Sequence, residues 1–484
     1  MSRANQLGKL RREIRELREH IARLEEENRQ LKAQLARANK DSTNSSKPPS
    51  SDIAKPAPKG RSGRRGRKIG GQPGHPRHQR THFPPEQVDH WEHHHPRRCE
   101  HCGGRDLQED TGQEPQVFQQ VELVDKPFKV TEHVLHCCRC ERCHKITTGR
   151  LPSETAATGL VGPRMLALLL FMKGALRLSY SGIQEFLDHV LGFKVSRGYL
   201  AKMMNKGAQI LGPPVQELRS LLPSQPVLNV DETGHKENGQ RMWTWCFRAP
   251  DFVLFAIRAS RGSDVLLEHL GEEFDGILGC DYFSAYRKFM GQMSGTVQFC
   301  LAHLIRDLKF LAEHPDPVIQ LYAQPILKAI KAMFHLIHQQ VERPMELEQF
   351  QSKLLAHKKR LLSLCTNTAA VSPIEWYVKK HYSEIWNLAE RFRKHGDAYF
   401  TFITTPAIDP TNNTAEQAVR FVVMDRRATQ GTRGQTGRTF CERIWSVVGT
   451  CRMNRRSIFN YLCQAVTAWT KSLPIPPLIP SDPS

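Results

Sequence analysis

Val227-Leu228-Asn229-Val230-Asp231 and Gly276-Ile277-Leu278-Gly279-Cys280-Asp281 are short apolar runs that each close on an aspartate, and Thr411-Asn412-Asn413-Thr414-Ala415-Glu416-Gln417-Ala418-Val419-Arg420 sets a glutamate one turn into a helical pattern. Short apolar runs bounded by turn residues read as strands. Working outward, Met242 to Arg248 and Phe252 to Ile257 complete a meander with the first run, and a helix covers Ser263 to Leu270. The run into Asp281 is then a fourth strand and Val297 to Cys300 a fifth. Trp243 and Trp245 alternate with polar neighbours and read as packing. The helix Ala302-His303-Leu304-Ile305-Arg306-Asp307 follows, in which His303 either orients a phosphate or the helix-borne acid or, as is commoner, pairs structurally with Asp307 one turn on. Residues 315–400 are helical with mixed charge, an insertion ahead of the helix that bears Glu416. Asp231 and Asp281 thus stand at strand ends and Glu416 on a helix.

An aspartate after a strand is more often a turn or cap residue, so the three acids count only in combination. Two strand-end carboxylates and a helix-borne one are how a ribonuclease H-like sheet holds two divalent ions. Mg²⁺ takes oxygen ligands from few protein groups and keeps positions for a phosphate and a water. The pattern therefore predicts two catalytic Mg²⁺ on Asp231, Asp281 and Glu416, and the cutting or joining of phosphodiesters. Charge agrees: Lys and Arg number 69 against 49 Asp and Glu, a formal net of +20, which favours a polyanionic partner such as DNA or RNA. At 484 residues and 39% hydrophobic content the chain has room for several domains and a sizeable core. Met1 to Asn5 starts no apolar leader, and Met165 to Met172, between Arg164 and Lys173, is too short to span a bilayer. A cytoplasmic, nucleoid-associated protein without a membrane role is expected. In that compartment the thirteen cysteines are metal ligands and core residues rather than disulfides.

Six segments follow along the chain. Residues 1–40 hold a heptad with Leu7, Ile14, Ile21, Asn28 and Leu35 at a and Leu10, Leu17, Leu24, Leu31 and Ala38 at d. β-Branched a residues, Leu at d and one Asn at a predict a parallel homodimeric zipper in preference to a helix packed on its own protein. Residues 41–90 are Ser-, Pro-, Gly- and Arg-rich, a flexible basic linker whose Arg64, Arg65, Arg67 and Lys68 suit a phosphate backbone. Residues 91–150 carry Cys99-Glu100-His101-Cys102 and a second knuckle in which both Cys137/Cys140 and Cys140/Cys143 have the spacing. Gly103 and His144, each following a pair as a knuckle turn needs, select Cys99, Cys102, Cys140 and Cys143 for one structural Zn²⁺. Residues 151–222 are helical, and the short turn before Ser196 suits either a helix-turn-helix presenting Arg197 to a major groove or a plain helical hairpin. Residues 223–450 are the catalytic domain, and 451–484 a helix and a loose Pro-rich tail from Leu473.

The order of zipper, Asn-Ser-Ser-Lys-Pro-Pro (44–49), Gly-Gly-Gln-Pro-Gly-His (70–75), zinc knuckles, Asp231-Glu232-Thr233, Ala302-His303 and Asn412-Asn413 before Glu416 resembles transposases of the insertion sequence 66 family. The resemblance covers nearly the whole chain and implies a DDE transposase whose catalytic acids are Asp231, Asp281 and Glu416. It implies that the knuckles and zipper recognise transposon ends and assemble the protein on them, with target DNA as a further partner; whether accessory proteins of the same element also take part is left open by the sequence. Arg420, Arg426 and Arg427 are then expected at phosphates. Gln417 departs from the family, where many relatives have Arg directly after the glutamate. Two other readings stand beside it: a ribonuclease H-like nuclease or junction resolvase would use the same acids, and a non-catalytic zinc-dependent DNA-binding regulator would need only the first 220 residues.

Overall fold

The heptad forms a continuous helix, α1 (Arg3–Ala38). The computed structural model describes residues 3–40, 82–97, 100–105, 117–124, 126–405 and 408–480; the basic residues Arg64, Arg65, Arg67 and Lys68, and Cys99, lie outside them. Two compact units divide the chain, one of residues 57–132 and one of residues 1–56 with 133–484. The described residues named below, Cys102 and Gly103 apart, belong to the second. It continues with a small hairpin, β1 (Cys137–Arg139) and β2 (Ile146–Thr148), then α2 (Ser153–Thr158), α3 (Pro163–Gly174), α4 (Tyr180–Leu191), α5 (Arg197–Ile210) and α6 (Gly212–Leu221). The stretch 153–174 is apolar and long enough to pass as a membrane span by composition. It is nevertheless broken at Gly159 and Gly162 into α2 and α3. Leu166, Leu169 and Leu170 of α3 are fully buried in the core.

The strand pattern gives β3 (Val227–Glu237), β4 (Gln240–Arg248), β5 (Val253–Arg258), β6 (Ile277–Cys280) and β7 (Thr296–Phe299), with α7 (Ser263–Leu270) and α8 (Ser284–Met290) between them. They make one mixed sheet of order β5-β4-β3-β6-β7. β3, β4 and β5 pair antiparallel, whereas β6 pairs parallel to both β3 and β7. The chain is thus a multidomain α/β protein with an N-terminal helix and a mixed sheet. β3 departs from expectation, because it runs through Asp231 to Glu237 instead of ending there. Its second half is polar, which hid it. Asn238-Gly239, both at positive φ (48° and 83°), turns β3 into β4 in the way that favours a tight hairpin. What ends near Asp231 is the parallel pairing, whose last pair is Asn229 with Gly279.

α9 (Leu301–Ala312) leads into α10 (Pro317–Glu342), α11 (Leu347–Thr366), α12 (Glu375–His381) and α13 (Ser383–His395). After the short α14 (Thr401–Thr404), α15 (Asn413–Thr429), α16 (Gln435–Met453) and α17 (Ile458–Thr470) close the domain. α16 seals the outer edge of the sheet. The amides of Val253, Phe255 and Ile257 on β5 donate to Thr450 Oγ1, Ser446 Oγ and Glu442 Oε1 at 3.2, 2.9 and 2.6 Å. Residues four apart lie on one helix face, so a single helix satisfies the edge donors that a bare strand exposes. The Pro-rich end is not loose as far as it is described: Leu478 is fully buried. A segment with no ladder of its own leaves carbonyls open, and here Tyr461 Oη donates to Pro476 O and Arg456 Nη1 to Pro477 O and Leu478 O, at 2.8–3.0 Å.

Candidate active site

Asp231 comes from the middle of β3, Asp281 from the residue after β6, and Glu416 from the first turn of α15. A pair of asparagines fixes α15 against the sheet. Asn412, 1% exposed, donates through Nδ2 to Val230 O at 2.8 Å and accepts from Asn229 Nδ2 at 2.9 Å. Asn229 occupies the space above Gly279, where a Cβ would sit 2.3 Å from its Nδ2. A side chain at 279 would therefore push Asn229 off the helix start. The Asn412 amide N–H also donates to Cys300 Sγ at 3.1 Å, and Leu301 N to Pro410 O at 2.9 Å. One turn of helix then delivers Glu416 to the strands carrying the aspartates.

The carboxylates repel one another. Asp231 has its pKa raised well above the ordinary carboxylate range, first by burial and then by Glu232, Asp281 and Glu416. Asp281 is pushed up to about 7 by burial and by Glu232. Each keeps one local hydrogen bond: Asp231 Oδ1 accepts the Glu232 amide at 2.9 Å, and Asp281 Oδ1 the Phe283 amide at 2.8 Å. Removal from water disfavours the charged form, and neighbouring negative charge adds to it. Converging oxygen donors that resist ionisation are the donor set a hard divalent cation relieves, so these residues fit Mg²⁺.

Side chains behind the acids were not singled out by sequence. The Glu232 side chain, 2% exposed, pairs with Arg261 (Nη2 to Oε1, 2.6 Å) and accepts the Tyr286 hydroxyl. Arg261 lies over the rings of Phe283 and Trp243, with 3.8 and 4.5 Å to the centroids. On the other flank Arg306 Nη2 reaches Glu416 Oε1 at 3.0 Å. The signal for Arg306 was its place one turn after His303. His303 stands 3.5 Å from Glu416 Oε1 through Nδ1, and its pKa falls to about 4, by burial and then by Arg306, which keeps the ring neutral. The expected pair with Asp307 does not form. Asp307 Oδ2 instead binds Arg391 Nη1 at 2.9 Å, a residue of α13 that sequence spacing gave no means to place.

The predicted cations are distributed unevenly. Arg420 and Arg427 are exposed on α15, as is Gln417. Arg426 is half-buried, and its Nη1 donates to Thr233 Oγ1 at 3.3 Å. Arg197 is exposed at the start of α5, with its guanidinium on Ser181 Oγ and Gln184 Oε1 of α4 at 2.9 and 3.2 Å. In the second knuckle Cys137 and Cys138 lie in β1, while Cys140 and Cys143 flank the turn to β2. That turn closes through Cys140 N to Lys145 O at 2.9 Å and His144 N to Cys140 O at 2.8 Å, with His144 at φ 57°. Amides of Cys143 and Arg142 pointing at Cys140 lower its thiol pKa. Cys102 is exposed and followed by Gly103 at φ 75°.

Residues 158–439 match the family model described as the transposase IS66 family, and residues 2–81 match a family of unknown function. Among curated proteins, the uncharacterized protein y4hP of Sinorhizobium fredii is 24% identical over 388 residues, which cover 74% of this chain and 68% of that protein. The uncharacterized protein y4qI of the same organism is 22% identical over 364 residues, covering 67% of this chain and 62% of that one.

Proposed function

Because the chain belongs to the IS66 transposase family, we propose that it is a DDE transposase that cuts DNA at the ends of a mobile element and joins the freed 3′-hydroxyl to target DNA. The observation that carries this reading is the convergence of Asp231, Asp281 and Glu416 from β3, the end of β6 and α15, with both aspartates held above the ordinary carboxylate range. An antiparallel meander extended by two parallel strands supports a ribonuclease H-like domain. Asp231, Asp281 and Glu416 would hold two Mg²⁺. When bound, the ions supply Lewis-acid activation of the attacking oxygen and stabilisation of the leaving one.

The remaining work falls to this chain's side chains. Arg306 holds one oxygen of Glu416 and thereby its rotamer. Arg261 and Tyr286 neutralise and fix Glu232, so that one acid in the cluster stays out of the donor set. Arg420 and Arg427, on the exposed side of α15, sit where a phosphate backbone would run, with Arg426 braced behind them. Positioning and fixed charge account for most of the rate in such reactions. Recognition of the ends belongs to the rest of the chain: α4 and α5 with Arg197, the basic residues Arg64, Arg65, Arg67 and Lys68, and a Zn²⁺ module of Cys99, Cys102, Cys140 and Cys143. The α1 heptad brings two copies together.

The test is a strand-transfer assay with labelled end DNA and Mg²⁺. Asp231→Asn, Asp281→Asn and Glu416→Gln each abolish cleavage and joining while end binding persists. Near wild-type cleavage by any one of them would remove that residue from the set, and cleavage without joining would leave a nuclease.

A further inference from the structure

Cys300 ends the strand region at β7 and caps the start of α9. Its Sγ, a ring nitrogen of His303 and a carboxylate oxygen of Glu416 all lie within 4.8 Å of one another. His303 Nδ1 is buried and, 3.5 Å from Glu416 Oε1, makes no hydrogen bond. Cys300 Sγ, by contrast, already accepts the Asn412 amide at 3.1 Å, and both residues are 1% exposed. Amide-to-sulfur bonds of this kind orient a thiolate ligand and stabilise its charge. One sulfur, one imidazole nitrogen and one carboxylate oxygen do not suit Mg²⁺, which takes oxygen. They suit a borderline-soft ion in a tetrahedral site whose fourth position is left to water. Arg306, on the same Glu416 oxygen, supplies the positive charge when no ion is there.

We propose that Cys300, His303 and Glu416 form a second metal site, selective for Zn²⁺ and related ions, that shares Glu416 with the Mg²⁺ set and switches the catalytic centre off when filled. Binding takes the Cys300 thiol proton to solvent and forms the sulfur–metal bond. It also turns Glu416 away from Asp231 and Asp281, so inhibition by Zn²⁺ competes with Mg²⁺. The inhibitory half of the proposal rests on the transposase reading of the acids; the binding half does not.

The experiment titrates Co²⁺ into the full-length protein and into Cys300→Ser and Cys300→Ala, and reads the sulfur-to-cobalt charge-transfer absorption. Other cysteines contribute equally to all three, so the difference reports Cys300. Serine keeps an acceptor for the Asn412 amide, and a thermal melt of both variants confirms that they are folded. Wild type is expected to bind one more Co²⁺ per chain than either variant. Zn²⁺ inhibits Mg²⁺-dependent cleavage by wild type, and Cys300→Ser needs about a hundredfold more Zn²⁺ for the same effect. Identical cobalt spectra for wild type and folded variants overturn the site. A Cys300-dependent spectrum in a protein that never cleaves DNA upholds the site and overturns the transposase chemistry. A Cys300-dependent spectrum with equal Zn²⁺ inhibition of wild type and variant overturns the switch.

Discussion

At the scale of single residues, Asp281 carries a cost that shows how the site is poised. Its folded pKa, about 7, lies above the ordinary carboxylate value, so the folded protein holds this proton more tightly than the unfolded chain does. Its contribution to stability is complete below the ordinary value and is lost as pH rises through about 7. Each unit of separation corresponds to about 1.4 kcal/mol. Asp281→Asn, which keeps the shape and the Phe283 contact but cannot ionise, is therefore expected to raise the metal-free melting temperature at pH 8 by roughly 2–4 °C. The gain shrinks as pH falls, and added Mg²⁺ at pH 8 stabilises wild type more than the variant. Calorimetry with a chelator present checks this; a variant melting no higher than its parent at pH 8 would mean that Asp281 carries no such penalty. Other residues have the opposite task. Asp425 is buried between α3 and α16, with Trp445 Nε1 at 2.8 Å and Lys173 Nζ at 3.9 Å, and ties the far half of α15 to the helical layer.

At the scale of elements, α1 presents two faces. Ala36 is buried, Glu26 Oε2 lies 3.7 Å from His381 Nδ1, and Lys40 Nζ stands 5.0 Å above the Phe310 ring. This mixed face rests on α9 and the insertion. Leu10, Ile14, Leu17, Ile21, Leu24, Leu31 and Leu35, the a and d positions, are about half exposed on the other side. Packing on its own protein thus leaves the a and d positions open for the proposed pairing with a second copy. Leu17→Lys with Leu24→Lys, two charges placed in the seam, should convert a full-length dimer to a monomer in sedimentation; an unchanged mass would show that the seam does not pair. The heptad was legible because its period is strict, whereas the resting face was not, since Glu26, Arg29 and Ala33 look like solvated positions. The same contrast holds in the sheet. Apolar runs marked the strands, but the polar half of β3 became visible only through its partners, the β4 ladder and the Glu237 bridge to Thr432. Of the site, the two aspartates stood out by their place after apolar runs and Glu416 by its place one turn into a helical pattern. Glu232, Arg261, Tyr286 and Cys300 did not, because burial and tertiary approach alone give them their roles.

At the scale of the whole molecule, the last described segment closes the core. Truncation after Leu473 removes buried Leu478 and leaves Arg456 and Tyr461 without their carbonyl partners, and is expected to cost about 2–4 kcal/mol, read as a lower denaturant midpoint. An unchanged midpoint would mean that the tail contributes nothing. Distance along the chain matters as much as distance in space. Asn229 and Asn412, which seat Glu416 beside the strands, are 183 residues apart in sequence, and the entire helical insertion intervenes. Proteins are made from the N-terminus at roughly 5–20 residues per second. A chain still emerging from the ribosome therefore has its sheet and both aspartates many seconds before the glutamate exists, and a chain ended early by a frameshift never acquires it. On the proposed function, such a fragment keeps the N-terminal elements proposed to bind DNA without the complete acid set, so broken copies of the gene would yield competitors of the intact protein instead of cutters.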